Sequence, residues 1–89
     1  MLIPTYRNKF KKEVEKVIKQ GRDIQELRKI LELLINEKPL PLKYKDHKLV
    51  GNYKGYRECH IAPDWLLVYM KTDTEIFLER TGSHSDLFK

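Results

Sequence analysis

Five side chains in the second half of the sequence carry the chemistry of a phosphodiester-cleaving site: His47, His60, Asp64, Arg80 and His84. RNA cleavage without a metal needs a base for the 2′-hydroxyl proton and an acid for the departing 5′-oxygen. It also needs a cation to hold the extra charge on the phosphorane. Histidine titrates near neutrality and serves in either proton role, and arginine offers a fixed fork of donors to phosphate oxygens. Trp65 and Phe88 could stack an unpaired base; equally, Trp65 could anchor the core or its rim and Phe88 could clamp the tail onto a sheet.

Other chemistries fit less well. Three histidines and an aspartate are ligand types for zinc, but no two histidines lie three or four residues apart, and Cys59 is the chain's single cysteine. No metal and no cofactor are expected. Cys59 alternates with the apolar Ile61, which points it into a core as a small inert hydrophobe.

The elements that must bring these residues together are legible in the pattern. Phe10, Val14, Val17 and Ile18 form one helical stripe, which Gly21 ends in a left-handed stop. Asp23 opens a second helix with Glu26 at capping-box spacing. Ile24, Leu27, Ile30, Leu31 and Leu34 carry that helix to about Asn36. Pro39 and Pro41 then break the helical period. Beyond them the period is two. Strands are predicted over Tyr56 to Ile61, Trp65 to Met70 and Glu75 to Thr81, with Ala62-Pro63-Asp64 as a bend and Ser83 to Lys89 as a tail. Alternation sets Glu58 and His60 on one side of the first of these strands, and Ile76, Leu78 and Arg80 on one side of the last. The run from Trp65 is nearly all apolar, as expected of a central strand covered on both faces. Residues 2–4 add a short edge strand, where Pro4 is tolerable. Helices first and antiparallel strands after them make an α+β layer fold, with one domain over residues 1–89. Strand ends from separate hairpins converge at one rim, where the five polar residues can meet.

Composition sets the outer bounds. Of 89 residues, 40% are apolar and 35% charged, a balance suited to one folded domain with a modest core. No run reaches the roughly 20 apolar residues of a membrane span, and no secretory leader opens the chain, so a cytoplasmic protein is expected. Residues 1–54 hold 14 Lys and Arg against 7 Asp and Glu, whereas residues 55–89 hold 4 against 6. Basic charge gathered in one part of a small domain suits a polyanion partner, or a solvated helical face.

Three stretches make the pattern more specific: L-L-I-N-E-K-P-L-P-L-K-Y-K-D-H-K-L-V-G, K-G-Y-R-E-C-H-I-A-P-D-W-L-L-V-Y and F-L-E-R-T-G-S-H-S-D-L-F. In that order they resemble the YafQ family, ribonuclease toxins of the RelE superfamily from bacterial type II toxin–antitoxin pairs. The resemblance covers residues 33–89. It implies a RelE-like fold, with a helical pair packed on a four-stranded antiparallel sheet. It also implies cleavage of messenger RNA in the ribosomal A site. The partners it implies are a cognate DinJ-like antitoxin, the ribosome and its message, with no membrane, and with DNA only through the antitoxin complex. Matched residue by residue, the family's catalytic set falls on His47, His60, Asp64, Arg80 and His84, and its tail aromatic on Phe88. His84 is then the general acid, and Asp64, or His60 held by it, is the base. Arg80 stabilises the phosphorane and His47 positions the phosphate or shares the proton transfer. Lys43, Lys45, Lys48 and Lys54, with the lysines of the first helix, are expected to hold RNA. The rival reading is a gyrase-targeting, ParE-like or otherwise non-catalytic toxin on the same scaffold, which would leave the histidine set without a use.

Overall fold

A computed structural model describes residues 1–88. The chain runs β1 (Ile3–Tyr6), α1 (Asn8–Lys19), α2 (Ile24–Ile35), β2 (His47–Lys48), β3 (Arg57–Ala62), β4 (Trp65–Lys71), β5 (Glu75–Gly82) and α3 (His84–Leu87). One-turn 3-10 segments lie at Leu42–Tyr44 and Gly51–Tyr53.

The two long helices form where the apolar stripes predict them. Gly21, at φ 85°, closes α1, with Gly21 and Arg22 donating their N–H groups back to Ile18 and Val17. The Asp23 carboxylate caps α2 by accepting from the Gln25 N–H. Phe10, Val17, Leu27, Ile30 and Leu34 face the sheet, where they meet Cys59, Ile61, Trp65, Leu67, Tyr69, Ile76 and Leu78.

The α+β class stands, but the sheet is not four-stranded and antiparallel. It has five strands in the order β1-β5-β4-β3-β2, with β1 parallel to β5 and every other pair antiparallel. The strand with no counterpart in the sequence pattern is β2, whereas β1 is the predicted edge strand, and Pro4 sits on the sheet border, where its missing N–H is harmless. β4 lies at the centre. Trp65, Leu67 and Tyr69 point to the helices, while Leu66 and Val68 face the other way with Leu87, Leu49, Tyr53 and Tyr56. That smaller cluster is the floor of the face bearing the polar residues.

One strand departs from simple alternation. Tyr69 pairs with Leu78 but Val68 pairs with Arg80, so Glu79 is an extra residue, a β-bulge. Arg80 therefore does not share a side with Ile76 and Leu78. The bulge turns it to the Val68 face, and a strict period of two cannot anticipate that.

The tail is also more ordered than expected. Ser83 caps the short α3 by accepting from the Asp86 N–H, and Leu87 buries itself in the second cluster.

Candidate active site

The sheet register lays the site out in rows. His47 lies opposite Glu58, Glu58 opposite Val68, and Val68 opposite Arg80. Directly opposed residues on antiparallel neighbours share a face, so this row carries an imidazole, a carboxylate, an apolar spacer and a guanidinium across four strands. In the next row on that face, His60 lies opposite Leu66 and Leu66 opposite Gly82.

Glu58 links the two histidines of this rim. Its Oε1 is 3.5 Å from His47 Nε2 and 3.6 Å from His60 Nε2, although its residue is only 4% exposed. The two rings stand 6.1 Å apart. His47 Nδ1 lies 2.7 Å from the Lys45 carbonyl oxygen, which only accepts, so Nδ1 carries the proton and Nε2 is the nitrogen free to exchange one. The preceding residue, Asp46, accepts from Tyr69 Oη at 2.6 Å and from the Arg57 guanidinium, which steadies the β2 segment. That hydrogen bond raises the Arg57 pKa above its ordinary value, while burial, foremost, pushes the Tyr69 phenol well above its own. Neither group gives up its proton near neutrality.

Asp64 and His84 meet at the other end of the face. In the turn after β3, Asp64 Oδ1 accepts from the His84 backbone N–H at 3.1 Å, so the aspartate holds the start of α3. Its backbone carbonyl accepts from Arg22 Nη2 at 2.9 Å. The His84 ring lies 5.5 Å from Phe88, and Phe88 lies edge-on to Tyr53 at 5.5 Å. Phe88 is exposed at its rim.

Arg80 is bound on the protein side. Its Nε and Nη2 donate to the Glu13 carboxylate at 2.7–3.0 Å, and its Nη1 donates to Tyr53 Oη at 3.4 Å. The Glu13 hydrogen bond raises the Arg80 pKa, against a smaller opposing effect of burial.

The geometry corrects two expectations. Trp65 offers no face to a base: it is 2% exposed, and its indole N–H donates to Thr81 Oγ1 at 2.9 Å beneath the Arg22 guanidinium. It is a core anchor. Nor is Asp64 the carboxylate beside His60, a place held by Glu58. Glu58, Glu13 and Tyr53 escaped the sequence analysis, though the alternation that paired Glu58 with His60 was already a pointer to the first.

Lys43, Lys45, Lys48 and Lys54 are all exposed. Lys43 and Lys45 border a cleft of about 410 Å³ that includes His60, and Lys48 and Lys54 border one of about 560 Å³ with Arg57 and Lys71. The first cleft sets two lysines beside the His60 imidazole, and the second gathers further basic side chains. Cys59, on the buried face, has its thiol pushed up to about 12, chiefly by burial, and stays protonated and inert.

A metal could be held only by a set that the sequence spacing hides. Donor atoms of His47, Glu58 and His60 lie within 4.8 Å of one another, the one such group of three or more among the described residues.

Known proteins match the chain over almost its whole length. The family model described as the bacterial toxin of a type II toxin–antitoxin system, YafQ, matches residues 2–89. The chain is 45% identical over 84 residues to the mRNA interferase toxin YafQ of Escherichia coli K12, covering 93% of this chain and 91% of that protein. It superposes on a chain of the E. coli DinJ–YafQ complex with a TM-score of 0.94 at 42% identity, over the whole of both chains. A metal-bound toxin from Helicobacter pylori gives a TM-score of 0.92 at 46% identity, covering 99% of this chain and all of that one.

Proposed function

The chain belongs to the YafQ family of bacterial type II toxins, endoribonucleases of the mRNA-interferase kind, and on that premise we propose that it cuts messenger RNA in the ribosomal A site by acid–base catalysis in the cytoplasm. The observation that carries this reading is the single sheet face on which His47, Glu58, His60 and Arg80 stand in two adjacent rows, with His84 held nearby by Asp64.

His84, exposed at the start of α3, protonates the 5′-oxygen as it leaves. His60 Nε2, beside the buried Glu58 carboxylate, takes the 2′-hydroxyl proton. This role suits His60 better than Asp64, whose carboxylate already accepts from the His84 backbone. The negative Glu58 offsets positive charge arising on the ring as it accepts that proton. Arg80 meets the phosphorane oxygens, and His47, when it carries a proton on both ring nitrogens, donates from Nε2 to the phosphate. Phe88 stacks the neighbouring base. In the resting cell a DinJ-like antitoxin would cover this face; the E. coli relative is found in a DinJ–YafQ complex.

The test is primer extension on a message carried by purified ribosomes. A well-placed acid contributes on the order of 10²–10⁴ in rate, so His84→Ala should lose about that much, and EDTA should leave the wild-type rate unchanged. Wild-type cutting by His84→Ala would refute the assignment. Intact message with DNA breaks would favour the gyrase reading.

The His47–Glu58–His60 group and the metal-bound Helicobacter toxin support a second reading, in which this trio captures a transition metal. Metal bonds occupy the imidazole lone pairs that proton transfer needs, so the ion acts as an inhibitor. Micromolar zinc should stop cleavage and EDTA should restore it; stimulation by zinc would reverse the assignment.

A further inference from the structure

Arg80 is oriented before any substrate arrives. A guanidinium has five N–H donors in a planar fork. Glu13 takes the side edge, with Nε 3.0 Å from both carboxylate oxygens and Nη2 2.7 Å from Oε2. Tyr53 Oη accepts from Nη1 at 3.4 Å. One N–H on Nη1 and one on Nη2 remain, and donors on these two nitrogens can meet two oxygens of a phosphate.

Glu13 is itself held. It projects from α1, which runs along β5 where β1 has ended: β1 pairs with β5 only as far as Tyr6 and Leu78. The Thr81 N–H, beyond that pairing, donates to Glu13 Oε1 at 3.2 Å. One carboxylate thus answers an open strand edge and the side chain that the Glu79 bulge turns to the catalytic face. The two partners are only 17% and 18% exposed, so the pair is largely shielded from water and its geometry is stiff.

We propose that Glu13 is a positioning residue for RNA cleavage: it clamps Arg80 by the side edge so that the tip edge faces the scissile phosphate. This rests on the reading of Arg80 as the cation of the phosphorane. An unclamped arginine would keep its charge but sample rotamers, and misplacement of a reacting partner by about 1 Å can cost 10²-fold.

The experiment compares Glu13→Gln, Arg80→Ala and the double variant in single-turnover cleavage on purified ribosomes carrying a defined message, with Tm measured for each. Glu13→Gln should lower the cleavage rate at saturating ribosome about 10–100-fold and leave the half-saturating ribosome concentration within about threefold. The double variant should cut no more slowly than Arg80→Ala alone, because Glu13 acts only through that arginine. A merely structural glutamate would lower Tm, and its effect on rate would multiply with that of Arg80→Ala. An unchanged rate in Glu13→Gln, or multiplied losses in the double variant, overturns the proposal. Unchanged cutting by Arg80→Ala instead removes the role of Arg80 itself. Should Glu13→Gln fail to fold, Glu13→Asp keeps the charge and shortens the reach, and a wild-type rate in that variant overturns the proposal equally.

Discussion

A carboxylate buried beside two imidazoles, with no lysine or arginine among its ion-pair partners in the described residues, is an expensive arrangement for a small protein. Glu58 is that group, 4% exposed between His47 and His60. A chemical use for this charge, as proposed for His60, can be separated from a structural one. Glu58→Gln preserves shape and removes the charge. It should leave Tm unchanged or higher while cleavage falls about 10–100-fold, the trade-off expected when a site holds a costly group for function. A steep fall in Tm with a wild-type rate would mark Glu58 as structural. At this scale the sequence was a good guide to residue types but a poor guide to neighbours. The three histidines, Asp64 and Arg80 stood out by chemistry alone. That Glu58 rather than Asp64 adjoins His60, and that Trp65 is sealed beneath Arg22, depends on strand register and on which face of β4 the indole takes.

Elements were legible wherever a period ran uninterrupted. The stripes of α1 and α2, the Gly21 stop, the Asp23 cap and the doubly covered β4 all follow from spacing and residue type. The failures sit where one residue breaks a period. At Glu79 the bulge reverses the side on which Arg80 emerges, and β1 joins β5 in parallel across most of the chain's length, a pairing that no local period marks. The overlooked α3 had a local sign in Ser83 followed three residues later by Asp86, a capping spacing. Where alternation holds, it also places Cys59 in the sheet's helix-facing core, with a consequence for alkaline stability. Its thiol, ordinarily near 9.0, is pushed up to about 12 by burial first and by Asp46 and Glu58 next. The folded state therefore holds this proton more tightly than the unfolded chain does. The associated stability is fully present below about pH 9.0 and is lost as pH rises towards about 12. Denaturant titrations should show a decline across that window, shallower in Cys59→Ala, with the raised Tyr69 phenol contributing the remainder. Identical alkaline slopes in the two proteins would contradict this account of Cys59.

For the whole molecule, the division of charge has a physical use. The basic excess lies in residues 1–54, and folding sets Lys43 and Lys45 beside His60 and Lys48 and Lys54 around a second cleft. On the proposed reading, a polyanion drawn to these lysines would arrive with its backbone against the face that carries the imidazoles. Among the described residues no helix is long and apolar enough to cross a membrane, and RNA is the polyanion that the acid–base set can use. Each phosphate neutralised by a lysine releases condensed counterions, with a slope of about 0.7–0.9 in log affinity against log salt. If these four lysines each meet one phosphate, raising salt from about 50 to 200 mM should weaken ribosome binding about 50–150-fold. Replacing Lys48 and Lys54 by alanine should reduce the slope by about one for each lysine removed, with little change in the cleavage rate of bound message. Binding measured by ribosome co-sedimentation across salt decides the matter. A salt-independent affinity, or a slope untouched by the double alanine variant, would assign these lysines to a solvated surface and leave the docking of the toxin to other contacts.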